Sequence, residues 1–138
     1  MSRAFLKSDV IDDPAAVLAT PKKTLRAAGL SENKALALYD LAKQKLPTRR
    51  EMEKLSDEEI VARLVPIRGV GKWTVQMMLM FYLGRPDVLP LDDLGVQQGF
   101  ALTFGKRTLA RMADTWRPYA SVASWYMWRA MDLKRFSV

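Results

Sequence analysis

The chain contains no cysteine and no histidine. Their absence excludes disulfides, thiolate nucleophiles, imidazole bases, Cys-ligated iron–sulfur clusters and the usual zinc sites. Any chemistry must then rest on carboxylates, lysines, hydroxyls or the backbone, and neither a metal nor another cofactor is expected. The lack of cysteine fits a reducing compartment. There is no long apolar run and no signal-peptide pattern, so a cytoplasmic protein without a membrane partner is expected. Sustained strand alternation is also missing, as are repeats, low-complexity tracts and linkers. That leaves an all-α fold of short helices and tight turns.

A chain of 138 residues with 49% hydrophobic content can build one core and is short for two, so residues 1–138 are read as a single domain, with 1–11 an arm lacking clear periodicity. The net charge of +7 calls for an anionic partner, nucleic acid or a membrane surface.

Caps and breakers divide the chain. Asp13-Pro14 and Thr20-Pro21 open helices over 14–19 and 21–28. Gly29 closes the second, and Ser31 caps a third helix running to about Lys45. Ser56 and Glu59 form a capping box before a helix ending at Pro66. Further helices are expected over 72–83, from Asp92 or Asp93 to Phe104, over 106–116 and over 119–131. Met80, Trp116 and Trp125 are read as core. Lys22, Lys23, Arg49 and Arg50 are read as a solvated face.

One stretch organises the rest. LVPIRGVGKWT at 64–74 reads as a helix, a turn on Gly69 and Gly71, and a new helix opening at Lys72. Such a turn aims N–H groups and a helix N-terminus at one point, a place to hold a phosphate. GRPDVLPLDD follows at 84–93 and supplies a carboxylate at the next helix start. Taken locally, that aspartate pair is most simply a cap. Trp73 and Trp128 are read equally well as core or as faces of a pocket.

With WRPYASVA at 116–123 and LRAAGLSENK at 25–34, these segments resemble the helix-hairpin-helix DNA glycosylases, and within them the alkylpurine (3-methyladenine type II) branch. The resemblance spans Asp12 to Met131. It implies that Asp93, rather than Asp92, occupies the catalytic aspartate position. It further implies that Trp73, Met77 and Trp128 line the base pocket, and that Gly69, Val70, Gly71, Lys72 and Thr74 grip the DNA backbone. In the strand-cleaving branch a lysine stands where Trp73 stands here, so no lyase activity is expected. Relatives carry further helices before the segment matching Asp12, including a wedge loop, and Arg68 stands where the family usually has proline.

The implied function is monofunctional excision of alkylated purines from duplex DNA in base excision repair. A carboxylate under the sugar stabilises the positive charge that builds as the base departs, and it can activate water. A base such as 3-methyladenine is already cationic and leaves without a protein acid. A cation over tryptophan gains roughly 0.5–2 kcal/mol, and flipping the base out costs a few kcal/mol. The alternative is a catalytically impaired relative, either a DNA-binding module or one half of a split glycosylase. In both cases surface left bare by missing helices favours a homo-oligomer or a complementing polypeptide.

Overall fold

The computed structural model describes residues 13–136, which are helical with no strand among them. The arm expected over residues 1–11 lies outside the described residues. The chain divides into two compact units, one ending at Gly71 and one beginning at Lys72.

The first unit holds α1 (Pro14–Ala19), α2 (Lys22–Ala27), α3 (Glu32–Ala42), α4 (Arg49–Met52) and α5 (Asp57–Leu64). Asp13 and Ser31 cap α1 and α3 as the sequence predicts. Pro21, expected inside α2, is its cap, with extended backbone at ψ 140°. Helix α3 stops at Ala42 rather than Lys45. Helix α4 is new relative to the sequence reading, although Thr48 and Glu51 form a full capping box at its start. Ser56 and Glu59 form the expected box on α5, which ends at Leu64, two residues before Pro66.

Val17, Leu25, Ala35, Met52, Ile60 and Leu64 are the buried apolar side chains among the described residues of this unit. Tyr39 on α3 donates its hydroxyl to the Thr20 carbonyl, tying α3 to the α1–α2 turn. Lys22 and Arg26 each reach Glu32 at 2.6 Å. The hydrogen bond from Lys22, then that from Arg26, holds the Glu32 carboxyl below its ordinary pKa.

The second unit holds α6 (Lys72–Phe81), α7 (Leu94–Phe104), α8 (Leu109–Ala113), a 3-10 turn (Asp114–Trp116) and α9 (Ala120–Phe136). The expected helix start at Lys106 moves to Leu109, because Thr108 keeps extended backbone (φ −93°, ψ 118°). Helix α9 runs five residues past the expected Met131, since no breaker follows. Val96, Phe100 and Met127 form the centre, with Leu89, Phe104, Leu109, Met112, Trp116 and Trp128 packed around it. Met80 and Trp116 are inward as expected, but Trp125 is 50% exposed. The inward face of α9 carries Ala120, Ser124, Met127 and Trp128 at helical spacing, and Trp125 projects away from it.

Helices α7 and α9 touch backbone to backbone. A Cβ built on Gly99 would lie 1.9 Å from the Met127 carbonyl oxygen, so only glycine allows this approach.

Candidate active site

The segment leading to Asp93 is held by α9. The Ser121 hydroxyl donates to the Arg85 carbonyl at 2.7 Å and accepts from the Val88 N–H at 2.9 Å. The Ser121 N–H donates to the Pro86 carbonyl at 2.9 Å. Asp87 accepts from Arg117 at 2.6 Å and from the Ala120 N–H at 3.3 Å. Fully buried Ser124 donates to Ala120 and to Val88. The sequence segments 84–93 and 116–123 are therefore two sides of one interaction. Trp128, one turn beyond Ser124 on the same face, is aimed by the same anchoring.

Asp93 caps α7, its Oδ1 accepting the Val96 N–H at 2.7 Å. Oδ1 also accepts the Trp128 indole N–H at 2.7 Å, and Oδ2 accepts the Trp73 indole N–H at 2.6 Å. Each carboxylate oxygen has two good acceptor directions. Among the described residues Oδ1 accepts two of these bonds and Oδ2 one.

Burial alone would raise the Asp93 pKa. The Trp128 indole, the Val96 N–H, the Trp73 indole and the Gly95 N–H oppose it, and together they bring the carboxyl below its ordinary value. The positive end of α7 acts in the same sense. The anion is therefore the resident form, and its stabilising effect is lost only as pH falls through that lowered pKa. An anion so fixed can face a developing positive charge or a water molecule.

Of the residues expected in a base pocket, Trp73 and Trp128 meet on Asp93. Met77 lies one turn after Trp73 along α6, half-buried, and joins none of these hydrogen bonds. Trp73 is 52% exposed, so it is a surface aromatic rather than core. Phe81, 66% exposed at the end of α6, packs on Trp128 with ring centres 6.0 Å apart. Asp92 is exposed and does not cap α7.

The residues expected at the DNA backbone fall in both units, Gly69, Val70 and Gly71 in the first, Lys72 and Thr74 in the second. Gly69 has φ +80°, and a Cβ there would meet the Ala37 Cβ at 2.5 Å, so the turn needs glycine for both reasons. Gly71 differs from that expectation. It has no positive φ, and none of the described residues lies within 4 Å of a Cβ there, so neither its conformation nor their packing demands glycine. Arg68, at the family's proline position, pairs with Asp40 at 3.0 Å.

Gly95 was not singled out from sequence. A Cβ there would sit 2.7 Å and 3.0 Å from Trp128 ring atoms and 3.1 Å from Asp93 Oδ1. Its missing side chain is what lets the indole reach the carboxylate. The available signal was the pair Gly95 and Gly99, four apart on one apolar helix, a spacing that lines one face with small residues.

No family model matches the chain. DNA-3-methyladenine glycosylase 1 of Schizosaccharomyces pombe is 34% identical over 123 residues, 82% of this chain and 54% of that protein. The solved structure of the 3-methyladenine DNA glycosylase from that yeast, in complex with abasic DNA, superposes with a TM-score of 0.78 at 32% identity, covering 84% of this chain and 61% of the other. The chain belongs to the DNA-3-methyladenine glycosylase family. A DNA-3-methyladenine glycosidase structure from Bacillus halodurans gives a TM-score of 0.81 at 26% identity, covering 94% of this chain and 66% of that one. The chain thus spans between about half and two thirds of these glycosylases.

One prediction follows from the indole clamp on Asp93. Trp128→Phe keeps an aromatic ring but removes a donor, and Gly95→Ala pushes the indole off Oδ1. Both changes raise the Asp93 pKa. The Asp93 carboxyl is expected to titrate below the ordinary aspartate value of about 3.9 in the parent, and to move upward in both variants. An NMR titration of the side-chain carboxyl is the measurement, and an unmoved titration would show that the indole does not hold the anion.

Proposed function

We propose that this chain is a monofunctional DNA glycosylase that releases alkylated purines from duplex DNA. The observation that carries the reading is the Asp93 carboxylate, held ionised by two indole N–H groups and the Val96 N–H at the start of α7. A relative of 34% identity carries the name of this activity, and a solved neighbour is bound to abasic DNA.

In the proposed reaction the flipped nucleotide presents C1′ to Asp93. The bond from C1′ to the alkylated base breaks with its electron pair going to the base, which leaves neutral because it entered as a cation. The sugar gains the positive charge, and the anion at Oδ2 stabilises it. Water then adds to C1′ and passes its proton to bulk water. A carboxylate with a lowered pKa is a weak base, so Asp93 contributes mainly through its charge and by orienting that water. Trp73, Met77 and Trp128 form the base pocket, and the aromatic faces favour a cationic base. No lysine stands at the Trp73 position, so the strand is left intact.

Gly69, Val70, Gly71, Lys72 and Thr74 take the DNA backbone. Support comes from Gly71, whose open α-carbon face is unexplained by the fold and suits close approach of a phosphate. The test is incubation of the protein with methylated duplex DNA and chromatography of the free bases. Release of alkylpurine is expected. Retained duplex binding without release would overturn the enzyme reading in favour of a DNA-binding module.

A further inference from the structure

The first unit carries a cavity of about 520 Å³ whose lining combines three cations with apolar side chains. Lys45 enters from the connection after α3, Lys54 from the turn after α4 and Arg63 from α5. Leu46, Pro47, Leu55, Leu64 and Ile67 supply its apolar lining. None of the three cations forms an ion pair among the described residues.

The acid that lines the cavity, Glu51, offsets only one of the three charges. Its Oε2 accepts the Thr48 N–H at 2.7 Å and the Thr48 hydroxyl at 2.8 Å, so it is committed to capping α4. Its pKa is lowered by those two bonds first and then by the charges of Arg63 and Lys54. Both cations line the same cavity as Glu51. Three positive charges against one leave the cavity cationic, and like charges gathered without partners repel unless an anion joins them.

We propose that this cavity binds a sugar–phosphate segment of the DNA backbone, a second anchor separate from the 69–74 turn. The cations meet the phosphodiester, and the apolar lining takes the deoxyribose. An inorganic anion would use only the cations, whereas a sugar–phosphate uses both parts. The inference rests on the reading of the protein as a DNA glycosylase.

The test compares the full chain with a Lys45→Gln/Lys54→Gln/Arg63→Gln variant. Each is titrated by fluorescence anisotropy with undamaged duplex and with duplex carrying an abasic analogue, at several salt concentrations. The slope of log affinity against log salt is expected to become shallower by about 0.9 for each phosphate the cavity neutralises. The change should be equal for the two duplexes, because a backbone contact carries no base information. A parent that binds DNA and a variant with the same slope would overturn the cavity and leave the glycosylase reading standing. A parent with no affinity for DNA would overturn both.

Amide NMR of the parent chain distinguishes the cavity from a general loss of charge and does not depend on the variant folding. Saturating duplex should shift the amides of Lys45, Leu46, Lys54, Leu55 and Arg63. Stationary amides there, with others moving, would overturn the proposal.

Discussion

Asp93→Asn is expected to lower alkylpurine release roughly 10²–10³-fold, the scale on which one group stabilising transition-state charge is lost. The substitution keeps the shape of the side chain, so the loss is one of charge. An asparagine has one accepting oxygen and one donating nitrogen. With its oxygen in the Oδ1 position it retains the Val96 N–H and the Trp128 indole, two partners of the three. Its NH2 then faces the Trp73 N–H, donor against donor, and Trp73, already half exposed, swings away. The opposite orientation sacrifices two bonds to keep one, so the first prevails. Helix α7 keeps its cap, and the circular dichroism spectrum should match the parent. Chromatography of bases released from methylated DNA measures the effect, and undiminished release would reject Asp93 as the acting carboxylate.

Gly99→Ala is expected to cost about 3 kcal/mol, which for a chain of this size lowers Tm by about 10 °C. Three backbone atoms of Met127 lie 1.9, 2.5 and 2.9 Å from where the Cβ must go. Backbone cannot rotate aside as a side chain can, so α7 and α9 must separate. Alanine gains up to about 1 kcal/mol in helix propensity over glycine. The overlap outweighs that gain, since it opens the cluster of Val96, Phe100 and Met127. Trp128 follows Met127 in sequence, so the separation also draws the indole from Asp93. Thermal denaturation followed by circular dichroism checks the first effect. An unchanged Tm would mean that the helices do not approach this closely.

Much of the helical outline was legible because it is local. Asp13, Ser31, Ser56 and Asp93 cap from within three residues of the bonds they make, and the family resemblance distinguished Asp93 from Asp92 where cap chemistry alone could not. Helix α4 was equally local, and its Thr48–Glu51 box stood in the sequence unread. What could not be read depends on a second element. Trp125 and Trp128 are three apart on an aromatic helix, and only the position of α7 decides that one is half exposed and the other bound to a carboxylate. The roles of Gly95 and Gly99 likewise exist only opposite α9. The resemblance pointed to Asp93, Trp73 and Trp128 as separate participants. That the two indoles hold the carboxylate itself is a matter of geometry, and no spacing in the chain expresses it.

The indole clamp has an optical consequence. Four tryptophans are present, and two of them place their N–H on the same carboxylate. The protein thereby carries chromophores wired to its own key charge. Protonating Asp93, or drawing it toward a cationic sugar, alters the hydrogen bonds of both indoles at once. Intrinsic ultraviolet emission of the unlabelled chain can accordingly register the state of that one side chain with no substrate turnover at all.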